Sequence, residues 1–197
     1  MDGTCHICGA YGKLSYEHIP PRSAFNDKPV LYTTILKILQ AGDLDGLTGK
    51  KLQRGRGGNT LCERRNSTTG HWYGGAFADW AYQAMDVIKA TQGQTTLIHH
   101  FNIFPCRVIK QIVCMFFSVN SPAFREAHPD LVRSVLNRDS KYLPPNVRIY
   151  AFYTMSERSR SSGVTVRADT VNGARKFHTV SEITFPPFGF LMAIDGL

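Results

Sequence analysis

The stretch SYEHIPPRSAF, residues 15–25, places a carboxylate, Glu17, directly before an imidazole, His18, and then stops the chain at Pro20 and Pro21. Neighbouring residues on a strand point to opposite faces, so Glu17 and His18 would ordinarily diverge. They can serve one site only if the strand ends at this point and bends into a loop, which the two prolines enforce. Arg22, directly after them, is placed either to clamp a phosphate or to pair with a carboxylate. Taken alone, a Glu-His pair before a turn is an ordinary surface pair. Its meaning depends on what flanks it.

Upstream, Cys5 and Cys8 form a C-x-x-C followed by Gly9, the spacing of a zinc knuckle. The short hairpin GKLSYEHI joins that knuckle to the prolines. Downstream, TTILKILQAG predicts a modest apolar helix. DLDGLTGKKLQRGRGGN, rich in glycine and basic residues, predicts an exposed loop. From TLCERRNSTTGHWYGGAFADWAYQAMDVIKAT the pattern predicts a short strand, a turn and then a helix. In that helix Phe77, Trp80, Ala81, Ala84 and Ile88 keep i, i+3/i+4 spacing. By themselves, Cys62 reads as a core thiol, Asn66 as a helix cap and Asn59, after two glycines, as a turn residue.

Further out, TTLIHHFNIF reads as a strand or loop, and Arg107 to Val119 as a nearly all-apolar core helix. HPDLVRSVLN reads as a short helix with Pro129 where a first turn tolerates it. After Pro144-Pro145, VRIYAFYTM, GVTVRAD, RKFHTVSEITF and FGFLMAID are β-branched and aromatic between polar turns, which predicts a small antiparallel sheet. The fold class is therefore α+β.

The 197 residues, 43% hydrophobic and 19% charged, suit a globular chain with a real core. The longest apolar run, QIVCMFF, falls far short of the ~18 residues that span a bilayer, and the first residues have neither half of a secretory signal. A cytoplasmic protein without a membrane partner is expected. Five cysteines, an odd number, argue against a disulfide framework. The net charge of +8 is spread over the chain, with 11 basic and 8 acidic residues up to position 100 and 12 and 7 beyond it. Such a field favours a polyanionic partner, nucleic acid first. Lys50, Lys51, Arg54, Arg56, Arg64 and Arg65 concentrate around the glycine-rich segment, where Gly55, Gly57 and Gly58 would let backbone approach phosphates. The same segment can equally be a solvated loop.

In chain order, Cys5-x-x-Cys8, Glu17-His18 with Ile and Pro after it, Asn59, and Cys62 before Asn66 resemble the HNH endonucleases. The likeness is to the ββα-metal nucleases supported by a four-cysteine zinc, and it covers roughly residues 4–85. The resemblance implies an HNH zinc-knuckle module over residues 1–92, then an α+β lobe over 93–197 made of a helical segment and a small antiparallel sheet. It implies a metal-dependent endonuclease acting on DNA, with RNA also within reach of the motif. His18 then resembles the general base, and Glu17 and Asn66 the ligands of a catalytic Mg²⁺ or Mn²⁺. Asn59 resembles the middle Asn, whose side chain holds the connecting loop. Restriction or phage defence is the context that small HNH proteins imply. The alternative is a nucleic-acid-binding, zinc-finger-like module or adaptor without catalysis. On either reading, the second lobe would read target DNA, mediate a homodimer or bind a partner subunit.

One position departs from the family: Arg65 stands where the fourth zinc cysteine belongs. A guanidinium cannot ligate zinc, and structural zinc is four-coordinate. Cys5, Cys8 and Cys62 then need His6, His71, Cys106 or Cys114 as the fourth ligand, or packing replaces the metal. The pair His99-His100 has no carboxylate nearby in sequence and reads as ordinary imidazole. Trp72 and Tyr73 read as core residues or as a stacking platform for a base.

Overall fold

The computed structural model describes residues 1–42, 47–91, 98–156, 158–171 and 174–194, with backbone alone at 35, 167–171 and 174–178. Its first unit is the hairpin-and-helix that the opening stretch anticipates. Strand β1 (Asp2–Thr4) pairs antiparallel with β2 (Tyr11–His18), and β2 pairs on its other side with β5 (Gly57–Cys62). The β2–β5 register sets Glu17 opposite Gly58 and His18 opposite Gly57, with an irregularity between Ser15 and Tyr16. The two chains are so close here that a Cβ at Gly57 would lie 2.0 Å from the carbonyl oxygen of Glu17. Only glycine permits that approach.

Between β2 and β5 the chain makes an excursion: β3 (Val30–Tyr32), α1 (Ile35–Ala41, capped by Thr34) and β4 (Lys50–Leu52), with β3 and β4 antiparallel. The basic segment is therefore not wholly loop. Val30, Leu31 and Tyr32 supply the β-forming partner that draws Lys50 and Lys51 into a ladder. Residues 43–46 of that segment lie outside the described residues.

No turn separates the strand that ends at Cys62 from the following helix, contrary to the turn that the sequence pattern predicts. Helix α2 (Glu63–Thr69) begins at once. It passes through a π-helical turn (Gly70–Gly74) and continues as α3 (Gly75–Thr91). Gly70 is costly inside a helix by about 1 kcal/mol, but it keeps right-handed angles, and its N–H bonds the carbonyls of Asn66 and Ser67. Burial of Thr69, Tyr73 and Phe77 on either side of it outweighs the local preference.

Helix α4 (Pro105–Val119) is the centre of the molecule. Ten of its residues are buried, among them Ile112, Met115, Phe116 and Phe117. Two short helices follow, α5 (Pro122–Ala127) and α6 (Pro129–Leu136), each with proline in its first turn; α5 carries no sequence signal beyond Pro122. The four predicted strands form one antiparallel sheet of order β6-β9-β8-β7, from β6 (Val147–Tyr153), β7 (Arg160–Val171), β8 (Ala174–Phe185) and β9 (Phe188–Ile194). The class is α+β.

The boundary expected between residues 92 and 93 falls outside the described residues. One hydrophobic core runs through both halves, from Cys5, Ile7 and Leu61 through Tyr73 and Phe77 to Phe188, Phe190 and Met192. Trp80 of α3 stacks on Phe188 of β9 at 3.8 Å between ring centres. At its edge, Arg56 before β5 donates to the carbonyl of Thr184 on β8 (3.1 Å), and Arg125 of α5 donates to the carbonyl of Ile7 in the knuckle (3.4 Å).

Candidate active site

The end of β2, the start of α2 and the inner face of α4 enclose an open cleft of about 220 Å³. Glu17, His18, Arg22, Ser23, Asn66 and Gln111 line it, together with the glycines of the π-helical turn. The juxtaposition of Glu17 and His18 has a concrete cause. β2 stops at His18, and the register that places Gly57 and Gly58 opposite leaves no side chain to fill the space.

His18 donates from Nε2 to the main-chain carbonyl of Arg54 at 2.9 Å. A carbonyl only accepts, so Nε2 carries the proton, and the neutral ring keeps its Nδ1 lone pair. Tyr16 packs edge-on against the ring (5.1 Å, 78°) and is itself tied to the carbonyl of Gly55 at 2.8 Å. Burial, with the guanidinium charges of Arg22 and Arg54, outweighs the Arg54 carbonyl bond and holds the imidazole below its ordinary pKa. His18 is therefore neutral at pH 7, as a general base must be.

Glu17 is 7% exposed and has no hydrogen bond or ion pair among the described residues. Burial without a partner pushes its carboxyl up to about 8. Asn66, on the first turns of α2, donates from Nδ2 to Ser15 Oγ and to the Tyr16 carbonyl, both at 3.0 Å. The Tyr16 carbonyl can only accept, and the Ser15 hydroxyl spends its own proton on the Leu61 carbonyl (2.9 Å). The amide nitrogen of Asn66 is thereby fixed on the strand, and its Oδ1 has no hydrogen-bond partner among the described residues. A buried carboxylate and a carboxamide oxygen are the donor types that a hard divalent cation takes.

Asn59 does not hold the connecting loop. It sits on β5 opposite Tyr16 with its side chain in solvent and makes no side-chain hydrogen bond among the described residues. Asn26, 1% exposed, does that work. Its Nδ2 donates to the carbonyls of Pro20 and Arg56, and its Oδ1 accepts from the Arg56 N–H, each at 2.7 Å. Those three bonds tie the loop after His18 to the chain that enters β5. Its neighbour Gly55 is left-handed (φ 83°), and a Cβ there would lie 2.3 Å from the carbonyl oxygen of Asn26. In sequence Asn26 looked like any loop asparagine; only its burial marks it.

The knuckle brings Cys5, Cys8 and Cys62 together, with all three sulfurs within 4.8 Å of one another and Cys8 and Cys62 3.8 Å apart. A tetrahedral site with Zn–S bonds of ~2.3 Å sets sulfur–sulfur edges at about 3.8 Å, so this group could bind a metal ion such as zinc. No fourth His, Cys, Asp or Glu joins it among the described residues. His6 turns its Nδ1 to the carbonyl of Phe117 (3.1 Å), Cys114 is buried near Glu17, and His71 and Cys106 are exposed elsewhere. Arg65 approaches the cluster, with its main-chain N–H toward Cys62 and its guanidinium beside Cys8, while its Nε is buried without a hydrogen-bond partner. Burial raises the Cys8 thiol, but hydrogen bonds from the Ala10 backbone and from Cys5, Arg65 and Cys62 outweigh it, and the net shift is downward. The guanidinium thus supplies part of the positive charge that a metal would.

Of the six basic residues around the glycine-rich segment, Lys50, Lys51, Arg54 and Arg64 are exposed, as is Arg22 at the rim of the cleft. Arg56 is turned inward onto Thr184, where burial lowers its pKa to about 10. Arg56 is therefore a structural tie rather than a free phosphate contact, and Arg65 is half-buried beside the cysteines. Tyr73 is buried and bonds the Val135 carbonyl (2.8 Å), and Trp72 packs against the core, so the core alternative holds for both. Among the described residues, His99 packs edge-on against the ring of Phe101. No helix among the described residues is long and apolar enough to cross a membrane. No protein-family model, curated protein or solved structure is significantly similar to the chain.

Proposed function

We propose that the protein is a metal-dependent endonuclease that hydrolyses phosphodiester bonds in DNA, working from the cleft at the end of β2. The observation that carries this is the pairing of two states in one cleft: a neutral His18 with Nδ1 free, and a buried, unpartnered Glu17 beside the unengaged oxygen of Asn66. A folding-only role gives no reason to bury a carboxylate without a partner, which costs several kcal/mol.

His18 takes a proton at Nδ1 from a water that attacks the scissile phosphorus, while its Nε2–H stays on the Arg54 carbonyl and keeps the ring in register. Glu17 and Asn66 would hold a Mg²⁺ or Mn²⁺ ion; when bound, it supplies Lewis-acid stabilisation of the phosphorane charge and of the leaving oxygen. Arg22 at the rim neutralises a non-bridging phosphate oxygen. Lys50, Lys51, Arg54 and Arg64 present positive charge to the flanking phosphates. The Asn26 clamp holds Pro20 and Arg56, and through them the ends of both strands, in place during turnover.

The test is plasmid digestion with Mg²⁺, Mn²⁺ or EDTA, run beside His18→Ala. Cleavage should require the divalent ion, and the variant should lose two to four orders of magnitude in rate, the usual worth of a general base. An Ala variant that cuts as well as wild type would leave a nucleic-acid-binding module without catalysis.

A further inference from the structure

The cleft contains one more group that neither the motif nor the charge pattern points to. Gln111 sits on α4, more than 40 residues beyond Asn66, and is 2% exposed. Its Oε1 is buried without a hydrogen-bond partner, and no other bond engages its carboxamide among the described residues. It lines the same cleft as Glu17, His18 and Asn66. We propose that Gln111 is a third oxygen donor to the cation that Glu17 and Asn66 would hold, so that the second half of the chain completes the site.

This rests on the metal-dependent assignment of the cleft and extends it. Two oxygen-bearing groups, the Glu17 carboxyl and the Gln111 carboxamide, line one cleft from mostly buried positions, and neither has a hydrogen-bond partner among the described residues. Leaving either group unpaired is unfavourable, and a hard cation between them satisfies both with oxygen ligands. Because nothing engages the carboxamide, rotation about its terminal torsion turns the oxygen toward the cleft without breaking a bond.

Gly70, Gly74 and Gly75 line the cleft from the π-helical turn and leave open space there: a Cβ at Gly74 would make only ordinary contact, 3.9 Å from Gln111 Oε1, and one at Gly70 or Gly75 would meet nothing within 4 Å. A π-helical turn widens a helix by one residue per turn and recurs at functional sites. Here it carries the glycines to the face that α4 approaches.

The experiment is Mn²⁺ binding to the full-length protein, dialysed free of loosely held divalent ions and followed by titration calorimetry. Mn²⁺ prefers oxygen over thiolate, so the three cysteines do not compete for it. Gln111→Leu should raise the Mn²⁺ Kd by about 10-fold or more, the usual effect of removing a supporting ligand. Gln111→Glu should lower it by adding charge. The Mn²⁺-free Tm of Gln111→Leu should equal or exceed that of wild type, because an orphan polar atom is gone. Gln111→Met, closer in volume and read beside an unchanged near-ultraviolet circular dichroism spectrum, guards against a folding defect in the Leu variant. If Gln111→Met binds Mn²⁺ like wild type while Glu17→Gln does not bind it, this inference fails and the metal site stands. If wild type binds no Mn²⁺, both fail.

Discussion

Glu17 makes the residue scale testable, because its burial has a sign. Its folded-state pKa of about 8 lies above the ordinary 4.5, so between those values the folded state holds a proton that the unfolded chain releases. Stability therefore falls as pH rises through that window. Without divalent ions, Tm should drop by roughly 5 °C or more between pH 5 and 8. Glu17→Gln should flatten the dependence, and Mn²⁺ should restore the lost Tm at pH 8; a wild-type Tm that ignores pH would contradict the buried, unpartnered carboxylate. A second expectation separates two asparagines. Asn59→Ala, on an exposed side chain with no bond, should change stability by no more than about 0.5 kcal/mol. Asn26→Ala removes three 2.7 Å bonds from a buried position and should cost several kcal/mol in urea unfolding. The family motif places the loop-holding asparagine at 59, and the fold puts it at 26. A carboxamide works wherever its two ends find partners, and spacing alone does not reveal that.

Among the elements, the knuckle and β4 carry the sharpest expectations. Arg65 lies beside Cys8, and among the described residues no fourth His, Cys, Asp or Glu joins the three cysteines. Protein purified without added zinc should hold well below one zinc per chain. Arg65→Cys should raise both zinc content by mass spectrometry and Tm, because metal binding adds directly to folding free energy. A chelator-resistant full zinc in the wild type would show that three sulfurs and a water suffice. For β4, DNA affinity should fall steeply between about 50 and 200 mM salt. Replacing Lys50, Lys51 and Arg54 together by Ala should reduce the slope of log K against log salt by roughly 3, one for each phosphate that is no longer neutralised. Arg56→Ala should leave that slope in place and lower Tm, since its guanidinium is spent on Thr184 rather than offered to solvent.

At the scale of the whole molecule, the two halves share one hydrophobic core. Ile112, Met115, Phe116 and Phe117 of α4 share a core with Leu61, Tyr73 and Phe77. A fragment ending at residue 92 should therefore lack a cooperative thermal transition, and a folded fragment would restore the two-domain division that the family resemblance implies. Much of this architecture is legible in the chain itself. Apolar periodicity locates α3, α4 and α6, and β-branched runs locate all four strands of the C-terminal sheet, because those patterns are local. Cys5, Cys8, Glu17, His18, Cys62 and Asn66 are legible for a different reason: their order and spacing resemble a family motif, although β2 meets β5 only across the excursion through β3, α1 and β4. The sequence determined by itself the α+β class, the knuckle and the residues on the rim of the cleft. Only the tertiary structure decided that Arg56 faces inward, that Asn26 clamps the loop, and that Gln111 enters the cleft. Each of these depends on a partner far away in the chain: Thr184 for Arg56, the Arg56 backbone for Asn26, and the π-helical wall for Gln111. A side chain's role there is set by what long-range packing brings against it, and no periodicity or spacing encodes that meeting.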